Sequence, residues 1–266
     1  MEQGSRGAAL HLSLSLPLGL VVVWWVRLSC KHSNWQVACQ MIGHHSFAEY
    51  YSPPRVLPRA IQLGGHGNFS LDLATGWNFD VPELRSLSMT LLARMQIDFL
   101  MLSPPCTAFS SLNHMWNYPK MPPQKVREKI DQGMVHISHS VALAKQQIER
   151  DRWFALEHPA CATSWRTPLL QELTDMPQVR SVVFDQCMFG LRTPSGAKAM
   201  RKRTRIATNS PKLVARLSGR LCDRCHDHQR IEGCEGGVRL STHAQCYPLG
   251  LVEELAQAAM EHARSG

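Results

Sequence analysis

Short apolar runs alternate with helical stretches along most of this 266-residue chain, and this alternation restricts its fold more than any other feature. The predicted strands are Ser46–Tyr51, Phe69–Leu73, Ile97–Leu102, Trp153–Glu157, Val179–Asp185 and Arg203–Thr208. The predicted helices are Val56–Leu63, Pro82–Met95, Lys125–Arg150, Pro168–Leu173 and Leu251–Ala263. Strands that are separated by helices usually pair in parallel, with helices on both sides. The pattern therefore predicts an α/β fold with a mostly parallel, twisted sheet and helices on both faces.

Two of the predicted strands end at residues suited to chemistry. A double proline stops one apolar run, and the next residue is the thiol of Cys106, whereas the following strand ends at Glu157. An open α/β sheet presents its ligands at the carboxyl ends of its strands. We therefore expect a nucleophile and a proton-handling carboxyl in one site. Taken singly, Cys106 is typical of a core cysteine and Glu157 of a helix cap or an ion pair.

The overall charge favours an anionic partner. The chain carries 29 Lys/Arg against 21 Asp/Glu, a formal charge of +8. Such an excess is typical of proteins that bind nucleic acid, although a soluble basic enzyme can have the same balance. The nine cysteines show no regular spacing, which is typical of reduced thiols rather than of a disulfide framework. We expect a reducing compartment.

The amino terminus contains an apolar stretch. No Asp, Glu, Lys or Arg occurs in residues 7–26, a length close to the roughly 20 residues that span a bilayer. Polar residues, a proline and glycines interrupt the stretch and weaken it as a membrane span. It is either an anchor, a targeting segment or an extension outside the fold, and we favour the extension. Membrane association is expected only if residues 7–26 span.

Three blocks occur in the order and at the strand ends that a known family shows. They are Pro105-Cys106, Glu157-His158-Pro159 and the run Arg201-Lys202-Arg203-Thr204-Arg205. Together they resemble the cytosine-5 DNA methyltransferases over about Ser46 to Met260, and in particular small methyltransferase-like modules of some algal mobile elements. The resemblance implies a Rossmann-like, S-adenosylmethionine-dependent methyltransferase that acts on C5 of cytosine in DNA. A nuclear or otherwise intracellular location follows from that substrate.

The resemblance also implies a role for each block. Cys106 would add to C6 of cytosine, which makes C5 able to accept a methyl group, after the base has been flipped out of the stack. Glu157 would hydrogen-bond N3 and the exocyclic amine as the acid partner. Arg203 and Arg205 would clamp the target nucleotide, although a basic run is also typical of a solvated face. His158 stands where the family has asparagine.

The cofactor site is predicted from the same resemblance. Its candidate residues are Glu49, Ser52, Asp72, Asp98 and Pro104. Asp72 would hold the ribose hydroxyls at the end of the second strand, and Asp98 would line the adenine side. The family's glycine-rich turn is replaced by Ser-Pro-Pro-Arg after the first strand. Only one helix fits between Asp72 and Asp98, so we expect one of the family's usual seven strands to be missing or very short.

A basic, cysteine-rich segment lies near the carboxyl terminus. Residues 192–230 contain 11 Lys/Arg and two Asp/Glu, which predicts a groove that contacts phosphates with little base readout. Within and after it are the candidate zinc ligands Cys222, Cys225, His226, His228 and Cys234. The alternative is a loop of reduced thiols. The same letters spell a c-type haem signal, but the α/β pattern does not fit a cytochrome.

Four regions follow from these assignments. They are an apolar extension (1–45), a catalytic core (46–209), a basic Cys/His-rich insert that is a reduced target-recognition region (210–243) and a carboxyl-terminal helix (244–266). Two other functions stay open. The Ser-Pro-Pro sequence before Cys106 is close to the pattern of amino-methyltransferases, and the departures from the family would also suit an inactive nucleic-acid-binding module of a mobile element. RNA could replace DNA, and no obligate protein partner is inferred.

Overall fold

A six-stranded sheet forms the centre of the molecule; the computed structural model describes residues 46–65 and 69–263. Its strands are β1 (Phe47–Tyr50), β2 (Phe69–Leu71), β3 (Phe99–Leu102), β4 (Trp153–Pro159), β5 (Arg180–Asp185) and β6 (Arg203–Thr208), in the order β2-β1-β3-β4-β6-β5. The first four in this order are parallel, and β6 runs antiparallel to both β4 and β5. The chain has a Rossmann-like α/β fold, and the predicted mostly parallel sheet is confirmed.

Helices cover both faces of this sheet. They are α1 (Leu57–Gln62), α2 (Pro82–Met95), α3 (Pro123–Ile148), α4 (Pro168–Asp175), α5 (Pro211–Leu217), α6 (Leu240–His243) and α7 (Leu249–Ala263). One apolar core lies between the sheet and α2, α3 and α4, and a second lies between the sheet and α1, α5 and α7. Successive residues of a strand point to opposite faces. Leu100 and Leu102 of β3 accordingly join the first core, and Phe99 and Met101 join the second.

The predicted elements agree with these bounds to within a few residues. For α2 and for β6 the predicted and observed bounds are the same, because a proline begins α2 and an alternating Arg-Thr-Arg-Ile pattern marks β6. A single α-helix, α2, lies between β2 and β3, as expected for a sheet with one strand fewer. Helix α5 was not predicted. It begins after Ser210, whose hydroxyl accepts a hydrogen bond from the N–H of Leu213, and it buries Leu213 and Leu217.

The region expected to be an insert therefore begins with a helix of the core. Beyond α5 the chain forms a small antiparallel hairpin, β7 (Cys234–Glu235) and β8 (Val238–Arg239), before α6. Within residues 46–65 and 69–263, no helix has the length and apolar character needed to cross a membrane. The apolar stretch of residues 7–26, like the whole extension 1–45, lies outside the described residues.

The crevice between β1 and β3 opens at their carboxyl ends. The chain leaves β1 towards β2 on one side, and β3 lies on the other, so this is the switch point at which open α/β sheets bind ligands. The N–H of Ser103 donates to the carbonyl of Tyr50 (3.1 Å), which keeps the two strand ends together. Tyr51 then takes a left-handed conformation (φ +63°), uncommon for a residue with a side chain, and turns the chain out of the sheet.

Candidate active site

Cys106 and Glu157 lie at the carboxyl ends of β3 and β4, which are neighbours in the sheet. Cys106 follows the double proline and precedes a short 3-10 turn, Thr107–Phe109, and its side chain is partly exposed. Glu157 lies within β4 and is 7% exposed. The carboxylate is close enough for its charge to act on the thiol. The structure therefore brings the two predicted catalytic residues to one edge of the sheet.

The charges around Cys106 oppose each other. Burial raises the pKa of the Cys106 thiol, and the Glu157 carboxylate raises it further, whereas the Lys202 ammonium lowers it. A thiolate is the reactive form of a cysteine, and a nearby cation stabilises it. A ligand that neutralises Glu157 would leave Lys202 as the main charge and would favour the thiolate.

Glu157 has one oxygen without a hydrogen-bond partner. Its Oε2 accepts from the hydroxyl of Tyr247 (3.3 Å), and this hydroxyl also hydrogen-bonds Ser103 Oγ (2.8 Å). Its Oε1 is buried, forms no hydrogen bond with the described part of the chain, and lies 3.9 Å from Lys202 Nζ. Buried polar atoms nearly always have a partner. Oε1 is therefore available to a donor from a bound ligand.

His158 positions the loop that carries Cys106. Its Nε2 lies 3.0 Å from the carbonyl oxygen of Pro104, and its Nδ1 lies 2.7 Å from Ser164 Oγ. A carbonyl oxygen only accepts, so Nε2 carries the proton, and the neutral ring then accepts from Ser164 at Nδ1. Burial lowers the pKa of His158, which keeps the ring neutral, although Glu157 opposes this. Histidine therefore ties β4 to the proline turn at the position where the resembling family has asparagine.

A second thiol and a cleft adjoin the pair. Cys161 is exposed in the turn after β4, and its charge also acts on the Cys106 thiol, so it is a rival nucleophile. A cleft of about 680 Å³ lies between the turn that follows Cys106 and helix α3. Pro105 and Thr107 line the cleft, but Glu157 does not. The cleft thus reaches the site from the side of α3 and does not contain the carboxyl.

Glu49 caps helix α1 from within β1. Its Oε1 accepts hydrogen bonds from the N–H groups of Arg55 (3.0 Å), Val56 (2.7 Å) and Leu57 (2.5 Å). A helix start attracts anions, and here the chain's own carboxylate occupies that position. Burial raises the pKa of Glu49, although these N–H groups oppose the rise. The other oxygen, Oε2, is buried and has no hydrogen-bond partner among the described residues.

The other predicted cofactor residues separate into two groups. Ser52 is buried beside Glu49 with its hydroxyl donating to the carbonyl of Pro53 (2.9 Å), and Pro104 is held by His158. Asp72 is half-buried after β2 and accepts from the N–H of Ala74 (2.8 Å). These three lie at the carboxyl edge of the sheet.

Asp98 requires a correction. It precedes β3, at the amino edge of the sheet, where it accepts from the N–H of Ser46 (2.8 Å) and pairs with Arg152. The strand lies between Asp98 and the carboxyl edge, so this carboxylate does not line a ligand bound there. The prediction had Asp98 near the start of this strand, as observed, but the expected adenine contact does not fit that position.

Arg203 and Arg205 also differ from expectation in their neighbours. Arg203 donates to both oxygens of the buried Asp185 (3.0 and 2.8 Å), and Arg205 lies over the ring of Trp165, 4.4 Å from its centroid. The register of β6 pairs Ile206 with Glu157, so the two arginines point to the opposite face. Lys202, two residues before Thr204, lies on the face of Glu157. The predicted nucleotide clamp stays a prediction, and Lys202 is the cation beside the carboxyl.

A group of thiols and imidazoles lies where the basic segment meets the end of β5. We call it the Cys2His2 cluster; its members are Cys187, Cys222, His226 and His228. Their ligand atoms all lie within 4.8 Å of one another. Cys187 was not predicted, and the predicted ligands Cys225 and Cys234 lie outside the group. Cys234 is exposed in the β7 hairpin, and the thiol of Cys225 approaches Nδ1 of His226, whereas Cys222 approaches Nε2.

Sequence reasoning missed three residues for identifiable reasons. Lys202 could have been found from the alternation of β6, in which Thr204 and Ile206 are the inward residues. Tyr247 lies in the predicted carboxyl-terminal region (244–266), where a lone tyrosine gave no signal. Cys187 is distant in sequence from the other members of the cluster, and hydrogen bonds that join Asp185 to Arg220 and Cys222 bring the two segments together.

Comparisons with known proteins find similarity among solved structures. No protein-family model matches the chain, and no curated protein matches it. Among solved structures, the methyltransferase EhMeth of Entamoeba histolytica is similar with a TM-score of 0.35 and 11% sequence identity. The similarity covers 71% of this chain and 59% of the length of that methyltransferase. A likeness at this level assigns neither an activity nor a substrate.

Proposed function

We propose that the protein is an S-adenosylmethionine-dependent methyltransferase that acts on C5 of cytosine in DNA through a covalent adduct with Cys106. The observation that carries the proposal is Glu157 Oε1, which accepts no hydrogen bond from the described residues and is buried beside Cys106 and Lys202. The cytosine ring offers an N3 and an exocyclic amine on one edge, and C6 lies on the far side of the ring. A carboxyl and a thiol on neighbouring strand ends suit these two positions.

The thiol supplies the nucleophile. Cys106 Sγ forms a bond to C6, and the electron pair of the C5–C6 double bond moves towards C5. Protonation or hydrogen bonding at N3 by Glu157 accepts the charge that develops on the ring. Once C5 carries the methyl group, water takes up the C5 proton, the C5–C6 double bond is restored as Cys106 leaves as a thiolate, and the proton on N3 returns to Glu157. The thiol and the carboxyl are thus both regenerated.

Lys202 and Glu157 together control the thiol. In the free protein Glu157 raises the pKa of Cys106 and Lys202 lowers it. A base whose N3 shares a proton with Glu157 neutralises that carboxylate, so the lysine then dominates. We infer that the substrate itself favours the thiolate and that the resting thiol is protected from reaction. The hydroxyl of Tyr247 hydrogen-bonds both Glu157 and Ser103 and so holds the carboxyl in place.

The residues at the carboxyl edge fit S-adenosylmethionine in part. Asp72 lies after β2, where an acid can hold ribose hydroxyls, and Ser52 and Pro104 border the crevice between β1 and β3. The buried Oε2 of Glu49 has no hydrogen-bond partner within the described part of the chain. Glu49 Oε1 already caps α1, so the cofactor would be held by its sugar and not by an anion at that helix start. When bound, S-adenosylmethionine supplies an electrophilic methyl group.

The basic segment favours a nucleic acid as the substrate. Arg201, Arg220 and Arg224 form no salt bridge with any acidic residue of the described chain, and Arg220 and Arg224 are exposed, so the basic segment presents positive charge to solvent. Phosphates bind such surfaces without sequence readout. The target base must then leave the stack to reach the partly buried thiol. We therefore expect affinity for DNA that falls steeply with salt.

The methylated product tests the reaction. The protein lacking residues before about 46 would be incubated with DNA of mixed sequence and with S-adenosylmethionine that carries a labelled methyl group. The DNA would then be digested to nucleosides. The proposal predicts labelled 5-methylcytosine, lost in Cys106→Ser and in Glu157→Gln but kept in Cys161→Ser. Cys161 is the matched control because its thiol lies near the same site.

Other products would point to other functions. Labelled N4-methylcytosine or N6-methyladenine that survives Cys106→Ser would identify an amino-methyltransferase. Label in RNA but not in DNA would change the substrate. No label in any nucleic acid, together with salt-sensitive DNA binding and no affinity for S-adenosylmethionine, would identify a binding module.

A further inference from the structure

The Cys2His2 cluster has the dimensions of a tetrahedral metal site. Cys222 Sγ lies 3.7 Å from Nε2 of His226 and 3.5 Å from Nε2 of His228. With Zn–S of about 2.3 Å and Zn–N of about 2.0 Å, the sulfur–nitrogen edge of a tetrahedron is about 3.5 Å. The four ligand atoms all lie within 4.8 Å of one another, so a single ion at their centre can contact each.

We propose that this cluster binds one Zn²⁺ ion as a closed structural site. Two thiolates and two imidazoles form the donor set that zinc prefers, and four protein ligands leave no position for a substrate. The site is separate from Cys106 and Glu157 and does not depend on the proposed methyl transfer. It joins the turn after β5 to the basic segment.

The surroundings of the sulfurs support this assignment. The N–H of Arg224 donates to Cys222 Sγ (3.3 Å), and Arg224 takes a left-handed conformation (φ +67°) to do so. A non-glycine residue in that conformation is uncommon and marks a backbone held by its surroundings. The N–H of Cys222 donates to Asp185 Oδ2 (3.0 Å), and Arg203 binds the same carboxylate. Such outer contacts orient the ligands of a metal.

The chain around the cluster has little regular secondary structure. The 16 residues between Leu217 and Cys234 contain no helix or strand. The nearby apolar cluster is small; its buried members are Leu191, Met200, Leu240 and Ala244. Irregular loops of this length are uncommon in compact domains unless something orders them. A metal bound by residues at 187 and at 222–228 would close this loop against the sheet.

Metal content is the first test. The chain would be purified under reducing conditions without a polyhistidine tag and dialysed against metal-free buffer, and its zinc would be measured by mass spectrometry. We expect one zinc per chain. Replacement by Co²⁺ would give the visible spectrum of a tetrahedral site with sulfur-to-cobalt charge transfer.

Variants distinguish the proposed ligands from their neighbours. Cys187→Ser should lose the zinc, whereas Cys225→Ser and Cys234→Ser should keep it. The last two are matched controls, because both are exposed cysteines of the same segment. Should Cys187→Ser fail to fold, chelation of the wild-type chain gives a second readout. Removal of the metal should make residues 218–233 sensitive to protease while the sheet stays protected.

Several results would overturn the proposal. One is a reduced, folded wild-type chain that holds no zinc and gives no cobalt spectrum. Another is a disulfide between Cys187 and Cys222, seen as a mass two hydrogens lower. A third is loss of zinc in Cys225→Ser or Cys234→Ser with retention in Cys187→Ser, which would move the site to other ligands.

Discussion

Replacing His158 by alanine tests how the loop before Cys106 is held. The substitution removes a buried imidazole ring that has two hydrogen-bond partners. The Pro104 carbonyl and the Ser164 hydroxyl both lose their hydrogen bonds to it. Each buried group left without a partner costs about 1–3 kcal/mol, which gives about 2–6 kcal/mol for the two. Water that enters the vacated space would satisfy part of this. We expect the free energy of unfolding to fall by about 2–4 kcal/mol.

The second expected effect of His158→Ala is local. With its anchor gone, the proline turn moves more freely, and alkylation of Cys106 in the folded protein should become faster. The assay combines urea unfolding with iodoacetamide labelling, in which mass spectrometry of peptides resolves each cysteine. His158→Asn should lose less stability, because its amide can still donate to one partner.

His262 provides a matched control for this experiment. It is also buried, its pKa is lowered to about 4 by burial, and its Nε2 hydrogen-bonds Ser210 Oγ (2.5 Å). It stacks on Trp153 at the amino edge of the sheet, far from Cys106. His262→Ala should reduce stability but leave the labelling rate of Cys106 unchanged. The reasoning is refuted if both variants change that rate equally, or if His158→Ala unfolds like the wild type.

Three further changes have defined outcomes. Lys202→Met should raise the pKa of the Cys106 thiol and slow its alkylation at neutral pH, whereas Glu157→Gln should lower this pKa and speed the alkylation. Faster alkylation in Lys202→Met than in Glu157→Gln would contradict the assigned charges. His139, whose pKa burial lowers to about 4, stays neutral when folded but takes up a proton near pH 6.5 when unfolded. Protonation of His139 on unfolding should therefore lower stability by up to about 3 kcal/mol as the pH drops from 6.5 to 4. Urea titrations of His139→Gln should show a pH dependence smaller by that amount, with the contribution of His262 retained. In Gly133→Ala, the new Cβ would lie 2.7 Å from the Cβ of Ala108, in the turn after Cys106. This contact should lower the free energy of unfolding in urea by about 1–3 kcal/mol. An unchanged midpoint would show that the turn moves aside without cost.

The edge that carries the site was predictable because prolines end its strands. The double proline before Cys106 and the proline after His158 end β3 and β4, so both candidate side chains could be assigned to one edge. The strand count also followed, since the stretch between β2 and β3 has room for one helix only. These features depend on local sequence.

The missed features depend on register and on contacts between distant segments. The pairing of Ile206 with Glu157 decides which basic side chains lie on the face of Glu157. A register shifted by one residue would place the two arginines on that face instead. The adenine-side role expected of Asp98 does not fit its place at the start of β3, because ligands of an open sheet bind at the carboxyl edge. Cys187 joins the Cys2His2 cluster through the fold of β5, which no spacing of cysteines reveals.

The covalent adduct tests the central proposal most directly. The chain from about residue 46 would be mixed with S-adenosylmethionine and a DNA duplex that contains 5-fluorocytosine, whose C5 cannot release a proton, and then run on a denaturing gel. We predict a shifted band in the wild type and in Cys161→Ser, none in Cys106→Ser, and a nucleotide attached to the Cys106 peptide. Labelled methyl groups in DNA without any adduct, or an adduct that persists in Cys106→Ser, would contradict the assignment of Cys106 as the nucleophile.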